Sequence, residues 1–281
     1  MAADPIVVTD LDGCLLDERT YRYDAALPAL RALAERAVPL VLCSSKTRAE
    51  MLPLARALPA TGPFIVENGG AIVVPGGHLP RLAGRRDSDG YRHVVLGTGR
   101  EALVRVLAEM AEAAGARVRG FSSMSVADLV ALTGLDPEVA AQALRREYDE
   151  PFVLESGEEK RLARGAAARG LRLTTGGRFH HLLGPVDKGR ALQRLMALYA
   201  AEGLRFSSVA LGDSPNDLTM LQAADRPIVV PRPVGRPHPV LAAALPAAEV
   251  APEPGPAGWN SAVLAVLGGK SLPRVGGQAF S

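Results

Sequence analysis

The sequence predicts an α/β fold: a doubly wound, Rossmann-like parallel sheet interrupted by an inserted α+β domain. Short runs of Val, Ile and Leu, each followed by a polar loop, alternate with helical segments that carry apolar residues on one face. This alternation stops near residue 76 and resumes at residue 187. We therefore expect a discontinuous core at 1–83 and 187–267, an inserted domain at 84–186 and a mobile tail at 268–281.

The core is predicted from buried strands that hold almost no polar residues, which is typical of parallel sheets. In its first part, strands are expected at 6–9, 38–42, 64–66 and 71–75, and helices at 24–37 and 48–58. The second part begins with a helix at 188–202 whose apolar face includes Leu192 and Leu195. It continues with a strand at 208–211, a helix at 217–224, a strand at 228–230, a Pro- and Ala-rich loop at 231–258 and a helix at 259–267.

The inserted block mixes short strands and helices in an order that does not extend the first sheet in an obvious way. A loop rich in Gly, Arg and Asp, at 84–90, marks its start. Strands are expected at 91–96, 152–154, 171–175 and 178–183, and helices at 100–114, 125–133, 137–148 and 157–169. Asp136 as N-cap, with Pro137 in the first helical position, marks the start of the third of these helices.

The composition narrows the classes of function. The chain is 48% hydrophobic and 22% charged, as in ordinary globular proteins, and no apolar run is long enough to span a membrane. The net charge is +2 with both signs spread along the chain, so we expect no nucleic-acid partner. Cys14 and Cys43 alone cannot form a disulfide framework, and 1–5 lacks the basic and apolar regions of a signal peptide, so we expect a cytoplasmic protein. The sequence leaves the oligomeric state open.

Two aspartates stand at the end of the first predicted strand. Asp10 and Asp12 follow Ile6–Thr9 directly, and Gly13 comes next. Burying two carboxylates together is unfavourable unless a cation or a shared proton compensates. The segment therefore indicates a metal ion, a proton-sharing pair, or both. An ordinary strand-to-loop turn, where Asp and Gly are common, is the alternative.

Further polar residues follow other strands of the same predicted sheet. Ser44 follows the second strand, Asp213 and Asp217 follow the strand at 208–211, and Lys188 opens a helix beside them. Ligands bind at the carboxyl ends of such strands, and carboxylates, a lysine and a hydroxyl are the groups that phosphoryl transfer requires. Ser44 could instead cap the next helix. A lysine in a first turn opposes the helix dipole, which favours a bound anion near Lys188 over a merely solvated side chain.

These motifs resemble those of the haloacid dehalogenase (HAD-like) superfamily: DLDGCLLD, a serine after the second strand, a lysine at a helix start, and GDSPND, in that order. The inserted block resembles the α+β cap of the sugar-phosphatase branch of this superfamily. Within that branch, CSSKTRAEM, ENGG, REYDEPF, GGRFHHLLG and GWN resemble the mannosyl-3-phosphoglycerate phosphatase family over about residues 6–267. The resemblance implies an HAD-type core and a capped phosphatase.

The resemblance also implies a mechanism. Asp10 is expected to be the nucleophile that forms an aspartyl-phosphate, and Asp12 the general acid and base. The Asp10 carboxylate, the Asp12 carbonyl and Asp213 are expected to bind Mg²⁺, with Asp217 and Asn216 supporting them. The expected reaction is hydrolysis of mannosyl-3-phosphoglycerate to mannosylglycerate, a compatible solute, and phosphate. A broader sugar-phosphate phosphatase or a phosphomutase is the alternative; a non-catalytic phospho-acceptor module lacks both Asp12 and the insertion.

The substrate, a phosphorylated glycosyl acid, needs partners beyond the metal. Phosphate and substrate contacts are expected from Ser44, Ser45, Lys46, Arg178, His180, Lys188 and Asn216. Lys46 and the strand that carries Arg178 and His180 are predicted to face the cleft between core and cap, with Lys46 reaching the glycerate carboxylate. Lys46 could also be a surface cation. Because side chains alternate along a strand, only one of His180 and His181 can face inward, and a structural role is open for either.

Overall fold

The computed structural model describes residues 3–59, 62–176 and 179–277. Its strands are β1 (Asp4–Thr9), β2 (Leu40–Cys43), β3 (Phe64–Val66), β4 (Ala71–Val74), β5 (Arg92–Val95), β6 (Arg117–Gly120), β7 (Asp149–Ser156), β8 (Arg172–Gly176), β9 (Phe179–Leu183), β10 (Phe206–Gly212), β11 (Arg226–Val229) and β12 (Glu249–Val250). Its α-helices are α1 (Leu27–Glu35), α2 (Arg48–Ala57), α3 (Arg100–Ala114), α4 (Val126–Thr133), α5 (Pro137–Ala143), α6 (Glu159–Ala167), α7 (Lys188–Ala201), α8 (Leu218–Ala223), α9 (Pro239–Ala244) and α10 (Gly255–Leu267).

The core is an eight-stranded sheet, within the described residues, in the order β12-β11-β10-β1-β2-β3-β4-β5. The strands from β12 to β3 are parallel, whereas β4 and β5 pair antiparallel. Neighbouring residues of β1 enter different cores: Val7 packs with α1, α2 and α10, and Val8 packs with α7, α8 and α9. Helices thus cover both faces, and the predicted doubly wound α/β fold is confirmed.

A second, antiparallel sheet has the order β6-β7-β9-β8. It belongs to the inserted unit, which we define as residues 100–183, from the start of α3 to the end of β9. On one face Phe152 and Leu182 pack with α3 and α6. On the other face Val153 and Phe179 pack against α4 and α5. The predicted helix at 137–148 is shorter than expected, because α5 ends at Ala143 and residues 144–148 connect it to β7.

Two predicted boundaries need correction. The strand that was expected to open the cap, at 91–96, instead joins the core sheet as β5, where Val94 lies opposite Ile72 of β4. The expectation of a tail with little to pack is wrong for 268–277: Val275 is buried, and the Val250 N–H donates to the Pro273 carbonyl at 2.8 Å. The tail packs because β12, within a segment expected to be loop, gives it a sheet edge. Residues 278–281 lie outside the described part of the chain.

In the part of the chain that the structure describes, no helix combines the length and the apolar character needed to cross a membrane.

Candidate active site

The predicted polar residues meet at the carboxyl edge of the core sheet. Asp10 follows β1, Ser44 follows β2 and Asp213 follows β10. Lys188 begins α7 and is buried, and its Nζ donates hydrogen bonds to Asp10 Oδ1 and to Asp217 Oδ1, both at 2.5 Å. The Lys188 ammonium therefore joins two carboxylates, those of Asp10 and Asp217, that are 207 residues apart in the sequence.

Three carboxylates form a cluster that could hold a cation. One oxygen each from Asp10, Asp213 and Asp217 lies within 4.8 Å of the others. Asp217 is oriented by the N–H groups of Asp213 and Ser214, each 3.1 Å from its Oδ2. Among the described residues, the buried Oδ1 atoms of Asp213 and Asp12 have no hydrogen-bond partner. Clustered carboxylate oxygens with unused lone pairs suit a hard divalent cation.

Burial changes the proton affinity of this cluster. Burial and the Asp217 charge raise the pKa of Asp10 to about 7, although Lys188 acts against them. Burial and the Asp10 charge raise the pKa of Asp213 to about 8. Burial alone would lower the pKa of Lys188, but the two carboxylates beside it raise that pKa well above its usual value. The cluster thus carries more buried negative charge than one lysine compensates, and a bound cation would relieve it.

The loop that carries Asp10 is anchored to α10 by hydrogen bonds. The Thr9 hydroxyl donates to the Asp10 carbonyl at 2.7 Å, and Trp259 Nε1 of α10 donates to the same hydroxyl at 2.9 Å. Gly13 has a φ of +78°, and a Cβ at this position would lie 2.8 Å from Asp213 Oδ2. Glycine at this position therefore lets the Asp10 loop approach Asp213 closely.

The loop after β2 brings Ser44, Ser45 and Lys46 to the same edge. Ser44 is buried, and its Oγ accepts the Lys46 N–H at 3.2 Å. The N-cap of α2 is Thr47, which forms a capping box with Glu50, so the alternative role of Ser44 as helix cap is excluded. Lys46 Nζ lies 2.9 Å from Asp12 Oδ2. The sequence predicted that Lys46 contacts the substrate. The structure adds that its ammonium forms an ion pair with Asp12.

Two of the cavities lined by the described residues, with volumes of about 340 Å³ and 680 Å³, open between the polar edge of the core sheet and the inserted unit. The larger cavity is lined by Asp12, Lys46 and Asp213 on the core side. Both cavities are lined by Ser45, Thr175, His181, Pro215 and Asn216. A substrate in this cleft would contact the carboxylate cluster and the inserted unit at the same time.

Comparisons with known proteins agree with this geometry. Residues 7–79 match the family model of haloacid dehalogenase-like hydrolases. A glucosyl-3-phosphoglycerate/mannosyl-3-phosphoglycerate phosphatase from Methanococcoides burtonii is 40% identical over 94% of this chain and 97% of its own. One with the same name from Persephonella marina is 34% identical over 93% of this chain and 97% of its own. The chain belongs to this phosphatase family.

Solved structures of other proteins share the fold of this phosphatase. A phosphatase of the haloalkanoate (HAD) superfamily from Bacteroides thetaiotaomicron superposes with a TM-score of 0.66, at 16% identity, over 95% of each chain. At this identity the likeness concerns the fold alone.

The inserted unit of the phosphatase corrects one sequence prediction. His181, and not His180, lines the cavities, because the faces of β9 alternate. His180 stacks on Phe152 of the opposite face, with ring centroids 5.3 Å apart. Arg178, which was expected to bind substrate, lies outside the described residues.

Sequence reasoning missed Arg146 and Glu67, which join the inserted unit of the phosphatase to the core, and Asp149, which holds Arg146. Arg146 donates to the Ser45 carbonyl at 3.0 Å, and it shares Asp149 with His181. Glu67 is fully buried in the turn after β3, and its carboxylate accepts the N–H of Tyr148 at 2.8 Å. Both Arg146 and Asp149 lie in the motif REYDEPF, and Glu67 opens ENGG, so the motifs were visible but their contacts were not.

Proposed function

We propose that this phosphatase hydrolyses the phosphomonoester of mannosyl-3-phosphoglycerate, with Mg²⁺, to give mannosylglycerate and phosphate. The observation that carries the proposal is the match, at 40% and 34% identity over nearly the whole chain, to two phosphatases named for glucosyl- and mannosyl-3-phosphoglycerate. The cleft geometry supports it, because a cavity of about 680 Å³ beside the carboxylate cluster has room for a substrate larger than phosphate. The proposed substrate class is a phosphorylated glycosyl acid.

In the first proposed step, a carboxylate oxygen of Asp10 attacks phosphorus and the bond from phosphorus to the glycerate oxygen breaks. Asp12 gives its proton to that leaving oxygen. The Lys188 ammonium, at 2.5 Å from Asp10 Oδ1, is placed to neutralise phosphate oxygens beside the nucleophile. The buried Ser44 hydroxyl would hold another phosphate oxygen.

In the second step, water attacks the phosphorus of the aspartyl-phosphate. Asp12, now a carboxylate, accepts the proton of the water, and the bond between phosphorus and Asp10 breaks to restore the free carboxylate. Lys46, whose Nζ lies 2.9 Å from Asp12 Oδ2, would hold that carboxylate in place. The proposed Mg²⁺ ligands are the Asp10 carboxylate, the Asp12 carbonyl and Asp213. Asp217 and Asn216 would orient these ligands.

The proposed role of Mg²⁺ is to neutralise the phosphate charge as it shifts in the transition state. We further propose that the inserted unit acts as a cap that selects the substrate and excludes water from the cleft. One contact of the inserted unit with the core is the Gln142 carbonyl, which accepts a hydrogen bond from Thr47 Oγ1 at 3.0 Å.

The test is release of inorganic phosphate from a panel of substrates: mannosyl- and glucosyl-3-phosphoglycerate, unsubstituted 3-phosphoglycerate and a small aryl phosphate. We expect the highest kcat/KM for mannosyl-3-phosphoglycerate, no turnover in excess chelator, and recovery when Mg²⁺ is restored. The Asp213→Asn variant should need more Mg²⁺ or lose activity. Full activity in chelator, or transfer of the phosphoryl group to a sugar instead of to water, would contradict the proposal.

A further inference from the structure

The inserted unit forms one wall of the larger cavity, and that wall is chemically simple. Most of its side chains are apolar or carry a hydroxyl: Phe121, Leu129, Thr133, Leu135, Ala143, Thr175 and Phe179. Among the described residues of this wall, Arg146 is the one with a permanent charge. His181 is the remaining polar group that can donate a ring N–H. A wall of this kind suits a ligand with one anionic group on the side that faces the inserted unit.

Arg146 is held in place before any ligand arrives. Its side chain is 8% exposed, and its Nη1 donates to Asp149 Oδ2 at 2.8 Å and to the Ser45 carbonyl at 3.0 Å. The guanidinium carbon lies 5.9 Å from the centre of the Phe121 ring. Its buried Nε has no partner among the described residues. A guanidinium fixed by other groups loses little side-chain entropy when it binds, and its fork matches a carboxylate.

His181 is held by the same carboxylate. Its Nδ1 lies 2.8 Å from Asp149 Oδ2, and Asp149 is fully buried. Because the carboxylate accepts, Nδ1 carries the proton of this hydrogen bond. In the cavities that His181 lines, Nε2 donates to a ligand carboxylate when the ring carries a second proton, as an imidazolium. Asp149 therefore orients two different donors on one wall.

The position of this pair relates it to the leaving group of the phosphoester. Arg146 contacts the carbonyl of Ser45, the residue after Ser44, and the same cavity is lined by Asp12, the proposed general acid. The part of the substrate that leaves with the oxygen protonated by Asp12 must therefore lie between Asp12 and the wall that carries Arg146. In the proposed substrate class that part begins with a short acid, so its carboxylate lies close to the phosphate.

We propose that Arg146 and His181, oriented by Asp149, bind the carboxylate of the leaving group and so select phosphorylated glycosyl acids over neutral phosphoesters. The inference rests on the proposed function for the identity of the acid. The selectivity comes from directed hydrogen bonds, because Asp149 offsets much of the Arg146 charge. Lys46 is a weaker candidate for this role, because its ammonium pairs with Asp12, the proposed general acid, and lacks the planar fork of a guanidinium.

The first test compares two substrates that differ in one group: mannosyl-3-phosphoglycerate and its analogue with the carboxylate reduced to an alcohol. Arg146→Gln should lower kcat/KM for the acid by roughly 100-fold, the size of a lost charge-assisted hydrogen-bond pair, and should lower it far less for the alcohol. His181→Gln should act in the same direction. Arg145→Gln, a change at the exposed neighbouring arginine, is the matched control and should leave both values unchanged.

The second test measures how tightly the product and its analogue bind, so it does not depend on hydrolysis of a glycosyl phosphoester. Mannosylglycerate and its alcohol analogue are compared as inhibitors of the hydrolysis of a small aryl phosphate. The acid should inhibit the wild type more strongly, and Arg146→Gln or His181→Gln should remove that difference. If the wild type hydrolyses no glycosyl phosphoglycerate but keeps carboxylate-dependent inhibition, the proposed function fails and the carboxylate site stands. Equal losses for acid and alcohol, or no loss in either variant, would overturn the site.

Discussion

At the scale of single residues, the site depends on one buried cation between two buried carboxylates. Lys188 contacts Asp10 and Asp217, and the carboxylate of Asp213 lies nearby and forms no ion pair within the described part of the chain. Such a group is balanced only as a whole, because removal of one partner leaves unpaired charge in a medium that solvates it poorly.

Replacement of Lys188 by Met should therefore destabilise the metal-free protein by about 3 kcal/mol or more, since Asp10 and Asp217 would repel each other. The measurement is urea unfolding in the presence of chelator, and Mg²⁺ should recover part of the loss. Lys160→Met, at an exposed lysine of the inserted unit, is the control and should be nearly neutral. Equal stability of the two variants would contradict the charge balance described here.

Glu67 gives a prediction about pH. Burial raises its pKa from 4.5 to about 7, although Arg146 and the N–H groups of Glu147 and Tyr148 act in the opposite direction. The folded protein thus binds a proton that the unfolded chain has released, so this contribution to stability is full below pH 4.5 and is lost as the pH rises to 7. Relative to Glu67→Gln, the wild type should lose on the order of 3 kcal/mol between these limits. Unfolding at several pH values tests this, and a difference that stays constant would contradict it.

Residue types and their order were enough to place Asp10, Ser44, Lys188, Asp213 and Asp217, because the carboxyl ends of parallel strands share one edge. Residue types and their order could not decide which of His180 and His181 faces the cleft. A period of two shows that they face opposite ways, but which face looks into the cleft depends on how the inserted unit lies on the core. Arg146 and Asp149 were missed for the same reason.

At the scale of elements, α10 ties the end of the fold to the loop of the proposed nucleophile. Trp259 is fully buried, and its Nε1 donates to Thr9 Oγ1, which in turn donates to the Asp10 carbonyl. Sequence reasoning predicted a helix at 259–267, within α10, but not this hydrogen bond, since the contact spans 250 residues. The strand β5 was likewise predicted in the right place but assigned to the wrong sheet, because local pattern does not show which strand it pairs with.

Trp259→Phe should lower stability by about 1–2 kcal/mol through the lost indole hydrogen bond and volume, and it should lower kcat more than it changes KM. The physical reason is that Asp10 would lose a constraint on its backbone while the substrate contacts remain. Steady-state kinetics and urea unfolding measure both effects. Thr9→Ser, which keeps the hydroxyl, should retain kcat. A large rise in KM with unchanged kcat in Trp259→Phe would contradict the positioning role.

At the scale of the whole molecule, the site is assembled from both sides of a long insertion. β1 and β2 precede the inserted unit, whereas α7 and β10 follow it, and the sheet brings them together. The hydrogen bonds that join the inserted unit to this edge include Arg146 with Ser45, Gln142 with Thr47, Tyr148 with Glu67 and Arg172 with Asp187. The alternation that stops and resumes predicted this discontinuous core, while the exact start of the insertion depended on the pairing of β5.

The most direct test of the account is whether phosphate becomes covalently attached to Asp10. The Asp12→Asn variant lacks both the proposed acid of the first step and the proposed base of the second. With an aryl phosphate, whose leaving group needs no acid, it should still form the aspartyl-phosphate and should hydrolyse it slowly. The measurement is rapid quenching of this variant with Mg²⁺ and substrate labelled in its phosphate, followed by peptide mass spectrometry, with Asp10→Asn as the control. We predict label on the peptide that contains Asp10 and none in the control. Release of phosphate with no labelled peptide at any time, or label on another residue, would contradict the account.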